Sequence, residues 1–167
     1  MKNLSEQMTL YASYHQDSRN RFCHFIGIPI VTFSLAIALS WVEIFHSPFR
    51  LSLAPIVYCA LFAYFMRLDP RVAIMQLPFS AIPFVLGHAV TAWPLKYSLS
   101  AFGAATVIGW TFQLVGHYLE GRRPALVDNL GQILNAPLFL ACEVAAKLGW
   151  LQGVLEPRKA DLVTHNK

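Results

Sequence analysis

From Phe22 to Phe45 the chain reads "FCHFIGIPIVTFSLAIALSWVEIF", an apolar run broken by one histidine and one acid. A helix rises about 1.5 Å per residue, so roughly 17 to 25 apolar residues cross a bilayer core about 30 Å thick. A run of this length therefore predicts either a membrane span or the central helix of a soluble core. Further runs follow at Leu51–Met66, extended by Pro48 and Phe49, at Val72–Leu95 with Pro78, Pro83 and Pro94, and at Leu99–Leu119. A weaker one, Ile133–Leu151, contains Pro137, Glu143 and Lys147. Composition decides between the two readings. Of the 167 residues 56% are hydrophobic and only 13% charged, against about 25% charged in soluble domains. That is too little charge to cover a soluble surface. The expectation is an all-α, multi-pass transmembrane bundle forming one integral-membrane domain.

Charge placement sets the number of spans. With four spans and a non-spanning fifth segment, eleven of the thirteen Lys and Arg residues share one side, and only Arg50 and Lys96 lie opposite. If the fifth segment also spans, the ratio falls to seven against six. Basic residues collect in cytoplasmic loops, so four spans with both termini cytoplasmic are predicted, in a bacterial inner membrane or the endoplasmic reticulum. The fifth segment is then re-entrant, interfacial or packed against the bundle. Residues 1–18 form an N-terminal amphipathic helix, residues 22–153 the helical bundle and residues 154–167 a polar tail. In the first of these, Leu4, Met8, Tyr11 and His15 share one face, which places that helix at the cytoplasmic interface with its apolar face down. Asp17 or Ser18 is positioned to cap the first span.

Several function classes are excluded early. The net charge of +4 comes from basic residues scattered singly or in pairs, which is no nucleic-acid footprint. Cys23, Cys59 and Cys142 form no CxxC pair, so neither a disulfide framework nor a thiolate metal site is implied. The first twenty residues lack the apolar core of a cleavable signal.

The histidines are more informative. His15 precedes the first span, His24 opens it and His117 ends the fourth, so the span model alone sets all three at the cytoplasmic boundary. On a continuous helix His15 and His24 would point about 180° apart, and a break near Asp17 lets them converge. Imidazoles at one depth are a candidate metal site for Fe, Zn, Cu or Ni. Each is also an ordinary interfacial residue if taken alone. His88 lies sixteen residues past Val72 and so near the far side, as a weak fourth ligand or a helix–helix hydrogen bond. His46 reads as a loop residue and His165 as part of the tail.

Polar side chains also line up on helical faces. Gln113, His117 and Glu120 are spaced four and three, and Asp128, Gln132, Asn135 and Glu143 share another face with Phe139. Such stripes face a protein interior or a wet cavity rather than lipid. Glu120 and Asp128 are candidate metal ligands or partners that orient a histidine. Glu120 paired with Arg122 or Arg123 in water is the competing reading. The two arginines suit an anionic head group or a substrate carboxylate.

The segments that carry these residues resemble the 2-hydroxy fatty acid dioxygenase family. In "YASYHQDSRNRFCHFIGIPIV" the matching positions are Tyr14, His15, Asn20, His24 and Pro29. In "IGWTFQLVGHYLEGRRPALVDNLGQILNAPLFLACE" they include Gly116, His117, Glu120, Arg122, Arg123, Asp128, Asn129, Gln132 and Glu143. The resemblance covers about residues 11 to 150. It implies an Fe(II) enzyme of the α-oxidation type, found in endoplasmic-reticulum breakdown of sphingolipid bases. A 2-hydroxy fatty acid and O2 would give the acid one carbon shorter. It implies iron on His15, His24 and His117, with His88 the weakest candidate. Glu120, Asp128, Arg122 and Arg123 become candidates for the catalytic machinery, and Tyr14, Asn20, Asn129, Gln132 and Glu143 for substrate binding. The non-enzymatic alternative is a membrane lipid-binding or transport protein that uses the arginine pair for anionic head groups.

Overall fold

The computed structural model describes residues 4–45, 51–124 and 132–150. Among them are seven helices and one short hairpin. Helix α1 (Leu4–Ser13) buries Leu4, Met8 and Tyr11, the apolar positions of the expected face. It stops two residues before His15, which therefore sits in a linker. Asp17 then caps α2 (Ser18–Ser40). Its carboxylate accepts the Arg19 backbone N–H at 2.8 Å, satisfying a donor that has no intrahelical partner.

The first apolar run keeps its span with shifted ends. The helix begins before Phe22 and ends at Ser40. Strand β1 (Glu43–Phe45) then pairs antiparallel with β2 (Leu51–Ser52), Glu43 opposite Ser52. Leu51 and Ser52 thus belong to a hairpin, and the second run starts at α3 (Leu53–Leu68). The third run, expected as one span over Val72–Leu95, is two helices, α4 (Pro70–Met75) and α5 (Leu77–Val90), broken at Gln76. The cause is Pro78, which has no N–H to give to Ile74. Helix α6 (Leu95–Glu120) closes on Gly121, whose φ of 71° is left-handed and carries no Cβ penalty in glycine. The last helix is α7 (Gln132–Lys147).

Close contacts give the helix directions. A Cβ on Gly116 would collide with Asn20 Oδ1 and lie 3.0 Å from Cys23 Cβ, and one on Gly109 would lie 2.8 Å from Val31 Cγ2. Trp41 meets Phe102 at the opposite end. Helices α2 and α6 are therefore antiparallel, their backbones brought together by glycines. Phe25 meets Phe79 and Ser40 meets His88, so α5 runs parallel to α2. Tyr64, late in α3, donates to Gln7 of α1 at 3.1 Å.

Two helices, α2 and α6, are long and apolar enough to cross a membrane. At 1.5 Å per residue α3 and α5 are only about 24 and 21 Å long, short of the bilayer core. By length two of the expected four spans are present among the described helices, and the other two are not shown. Between Lys96 and Glu120, α6 carries no Asp, Glu, Lys or Arg, and Val107 is 67% and Tyr118 84% exposed. So large an open apolar face marks a lipid- or partner-facing surface.

Helix α7 takes the third of its expected alternatives, packing against the bundle. Leu138, Phe139, Leu140 and Cys142 are fully buried there. The apolar face of α1 was expected to rest on lipid. It packs on α7 instead, with Leu4 and Met8 in the same apolar cluster as Leu138 and the Tyr11 ring 4.7 Å from Phe139. Protein provides the apolar surface that lipid was expected to provide.

Candidate metal centre

Three elements deliver one imidazole each: the linker after α1 brings His15, the first turns of α2 bring His24, and the last turn of α6 brings His117. All three are buried, and their ligand nitrogens lie within 4.8 Å of one another. His15 is stacked on Tyr11, ring centroids 4.3 Å apart and 4° from parallel, with Phe139 at 5.3 Å.

Hydrogen bonding fixes which nitrogens face inward. His15 Nδ1 lies 2.7 Å from the Tyr11 carbonyl oxygen and His24 Nδ1 lies 3.0 Å from that of Asn20. A carbonyl oxygen only accepts, so each Nδ1 carries the proton and donates it. Each Nε2 is left with a lone pair, the ligating form of histidine. The two Nε2 atoms face each other at 3.1 Å. Lone pairs repel at that distance unless a cation or a proton lies between them. Metal–nitrogen bonds of about 2.0–2.1 Å set neighbouring ligand nitrogens roughly 3 Å apart, so the pair fits a shared ion. His117 Nδ1 is buried and has no partner among the described residues, which suits a third ligand. Burial pushes His15 down to about 4, opposed by its bond to Tyr11 and aided by His117 and Arg21. The ring is neutral at pH 7 and open to a metal. These three histidines could hold a metal ion.

The linker that carries His15 is clamped from outside. Glu120 accepts the Gln16 backbone N–H at 2.6 Å through Oε1 and Asn20 Nδ2 at 2.5 Å through Oε2. Arg122 Nη1 donates to the Ser13 carbonyl at 2.6 Å. Arg21 Nη1 donates to the carbonyls of His15 and Gln16, both at 3.3 Å, while its Nε sits 3.6 Å from Glu143 Oε2. Glu120 thus contacts backbone and Asn20, and Glu143 reaches the site through Arg21. Asn20 Nδ2 also faces the Tyr14 carbonyl at 3.4 Å. Arg123 borders a surface groove with Tyr14 and Arg122.

His88 lies elsewhere. Its Nδ1 is 2.8 Å from Ser40 Oγ, sixteen residues and about 24 Å along α2 from His24. Of its two expected roles, the structure places it in the helix–helix hydrogen bond. Asp128 and Asn129 lie outside the described residues, as does the side chain of Gln132.

The histidines open onto a cavity lined by Ile28, Val31, Leu35, Trp110, Gln113 and Pro137. Gln113 was not among the residues picked for binding. Its Nε2 is buried and has no partner among the described residues. The signal was its four-residue spacing to His117, which puts both side chains on the cavity face of α6.

The family model described as 2-hydroxy-palmitic acid dioxygenase Mpo1-like matches residues 1–148. The 2-hydroxy-palmitic acid dioxygenase MPO1 of Saccharomyces cerevisiae is 33% identical over 171 residues, covering 96% of this chain and 90% of the yeast protein. No solved structure matches with significance. Both comparisons run through the linker, α2 and α6 that together form the histidine cluster, and the chain belongs to the Mpo1-like family.

Proposed function

We propose that this protein is a membrane-embedded, Fe(II)-dependent dioxygenase that shortens 2-hydroxy fatty acids by one carbon. The observation that carries the reading is the buried histidine trio at the head of an apolar cavity. The substrate class follows the name of the yeast relative. In the reaction the bond between the carboxyl and hydroxylated carbons breaks. One 2-hydroxy acid and one O2 become the shorter acid, CO2 and water, O2 taking up the four electrons released. Fe(II), when bound, supplies the centre where O2 and the oxygens of the 2-hydroxy acid meet.

The chain's own residues do the rest. His15, His24 and His117 bind as neutral imidazoles and bring no negative charge, which leaves a divalent cation's charge to an anionic substrate group. Gln113 donates through Nε2 to a substrate oxygen. Glu120, Arg21 and Arg122 hold the His15 linker in place. Arg123, at the edge of the same end, attracts the incoming carboxylate. Asp128, Asn129 and Gln132 are further polar candidates for the substrate's oxygens, and Tyr14 and Asn20 hold the α1–α2 turn. The apolar segments α2 to α6 lie in the bilayer with the histidine end and both termini cytoplasmic, a site suited to an amphiphile with a wet head and an apolar tail.

The test is anaerobic reconstitution with Fe(II), then addition of O2 and 2-hydroxy fatty acids, with mass spectrometry for the product one carbon shorter. His15→Ala, His24→Ala and His117→Ala are each expected to lose bound iron and turnover. Full iron content and turnover in all three would overturn the assignment. Fatty-acid binding with neither metal nor turnover would support a lipid carrier instead.

A further inference from the structure

A second cavity lies between α2, α3, α5 and α7. It shares Thr32, Leu35, Ile133 and Pro137 with the histidine cavity, so the two adjoin across these four side chains. Its wall is almost wholly apolar, with Leu61, Phe62 and Phe65 from α3 and Phe84 from α5. The polar groups on it are turned to one another. Tyr58 Oη lies 3.0 Å from Ser80 Oγ, and Ser80 donates to Gln76 Oε1 at 2.5 Å. Of the Gln76 amide, Nε2 is without a partner among the described residues.

We infer that this second cavity holds the acyl tail of the substrate and that its far end, at Leu39 and Val57, sets the longest chain accepted. The inference rests on the proposed function and deepens it. Moving away from His24, the cavity-lining residues of α2 include Ile28, Thr32, Leu35 and Leu39, one stripe at helical spacing. Leu39 is fifteen residues from His24, about 22 Å along the axis. One leaflet of a bilayer core is about 15 Å thick, so the path takes an extended tail as long as those of membrane lipids. Val57 lines the same far end from early in α3, close to the hairpin.

Two substitutions with opposite expected effects test it. Val57→Phe fills the end and Leu39→Ala enlarges it. Each buried methylene contributes about 0.8 kcal/mol, or about four-fold in kcat/KM. Val57→Phe is therefore expected to lower kcat/KM for the longest good substrates by roughly ten-fold and leave shorter ones within about two-fold. Leu39→Ala is expected to move the optimum to longer chains. Val85→Phe, on the open outer face of α5 where Val85 is 60% exposed, is the control and is expected to leave the profile alone. Both turnover and competition with a fluorescent fatty acid on metal-free protein are measured across a homologous series. A chain-length profile unmoved by both cavity variants, in turnover and in competition, would overturn the inference. If wild type turns over no acid, the proposed function fails, and the competition profile alone decides whether the cavity measures acyl length.

Discussion

Glu120→Gln isolates the part of the site that acts without touching the histidines. The carboxylate receives two donors, the Gln16 N–H at 2.6 Å and Asn20 Nδ2 at 2.5 Å. A carboxamide offers one acceptor oxygen and turns an NH2 towards the other donor. One charge-assisted bond is lost and the second becomes neutral, where such bonds contribute about 1.5–3 kcal/mol each. The Gln16 end is exposed and water replaces part of the loss there, while the Asn20 end is part-buried. The net cost is on the order of 2 kcal/mol. It falls on the linker that presents His15, so metal affinity should drop by about 30-fold, within the range for groups that orient ligands. The assay is chelator competition on the metal-free protein, run beside a thermal melt of the metal-free form. Rescue by Glu120→Asp is expected to be partial, because the shorter arm reaches one donor. Metal affinity within about three-fold of wild type, with only the melting temperature lowered, would refute the linker argument.

Gly116→Ala places a Cβ against Asn20 and Cys23. Such overpacking costs about 1–3 kcal/mol, and parting α2 from α6 should weaken metal binding more than His88→Ala does. His88→Ala removes a hydrogen bond to Ser40, costs about 1 kcal/mol of stability and should leave bound metal at the wild-type level. Loss of metal in that variant would return His88 to the site. For the metal-free protein, His15 sits at about 4, below its ordinary 6.5. Its contribution to stability is therefore fully present above pH 6.5 and is lost as pH falls towards 4, on the order of 3 kcal/mol in all. Melting curves against pH should flatten in this window for His15→Asn. An unchanged slope would show that protonation of His15 is not what acid acts on.

How much of this was legible depends on the range of the interaction. The convergence of His15, His24 and His117 could be read from the span count and a break near Asp17, because depth in a bilayer is set by residue counting. The stripe of Gln113, His117 and Glu120 was legible for the same reason. The partners of Glu120 were not. Gln16 and Asn20 are about a hundred positions away, and no local rule chooses between them and the adjacent arginines. The break at Gln76 was written in Pro78 but competed with a hydropathy pattern that runs on unbroken. The hairpin at Glu43–Phe45 was hidden inside an apolar run, where periodicity does not separate a strand from a helix end. Lipid and protein interior are equally apolar, so the covering of α1 by α7 could not be told from a membrane contact by composition.

The three histidines do not have equal support, and this bears on how the site forms. His24 and His117 stand on α2 and α6, whose antiparallel contact is tightened by Gly27, Gly109 and Gly116. Their relative position is part of the bundle core. His15 stands just past the end of α1, its N–H on the Ala12 carbonyl at 3.0 Å, and its place depends also on Glu120, Arg21 and Arg122. It also depends on Tyr11 and Phe139, the rings from α1 and α7 that flank it. A bound cation would therefore join two assemblies, the α2–α6 pair and the α1–α7 layer, through the one ligand whose position the bundle does not fix. The energy of binding would go partly into docking that layer, so α1 and α7 should be more protected from hydrogen exchange with metal than without it, while α2 and α6 change little.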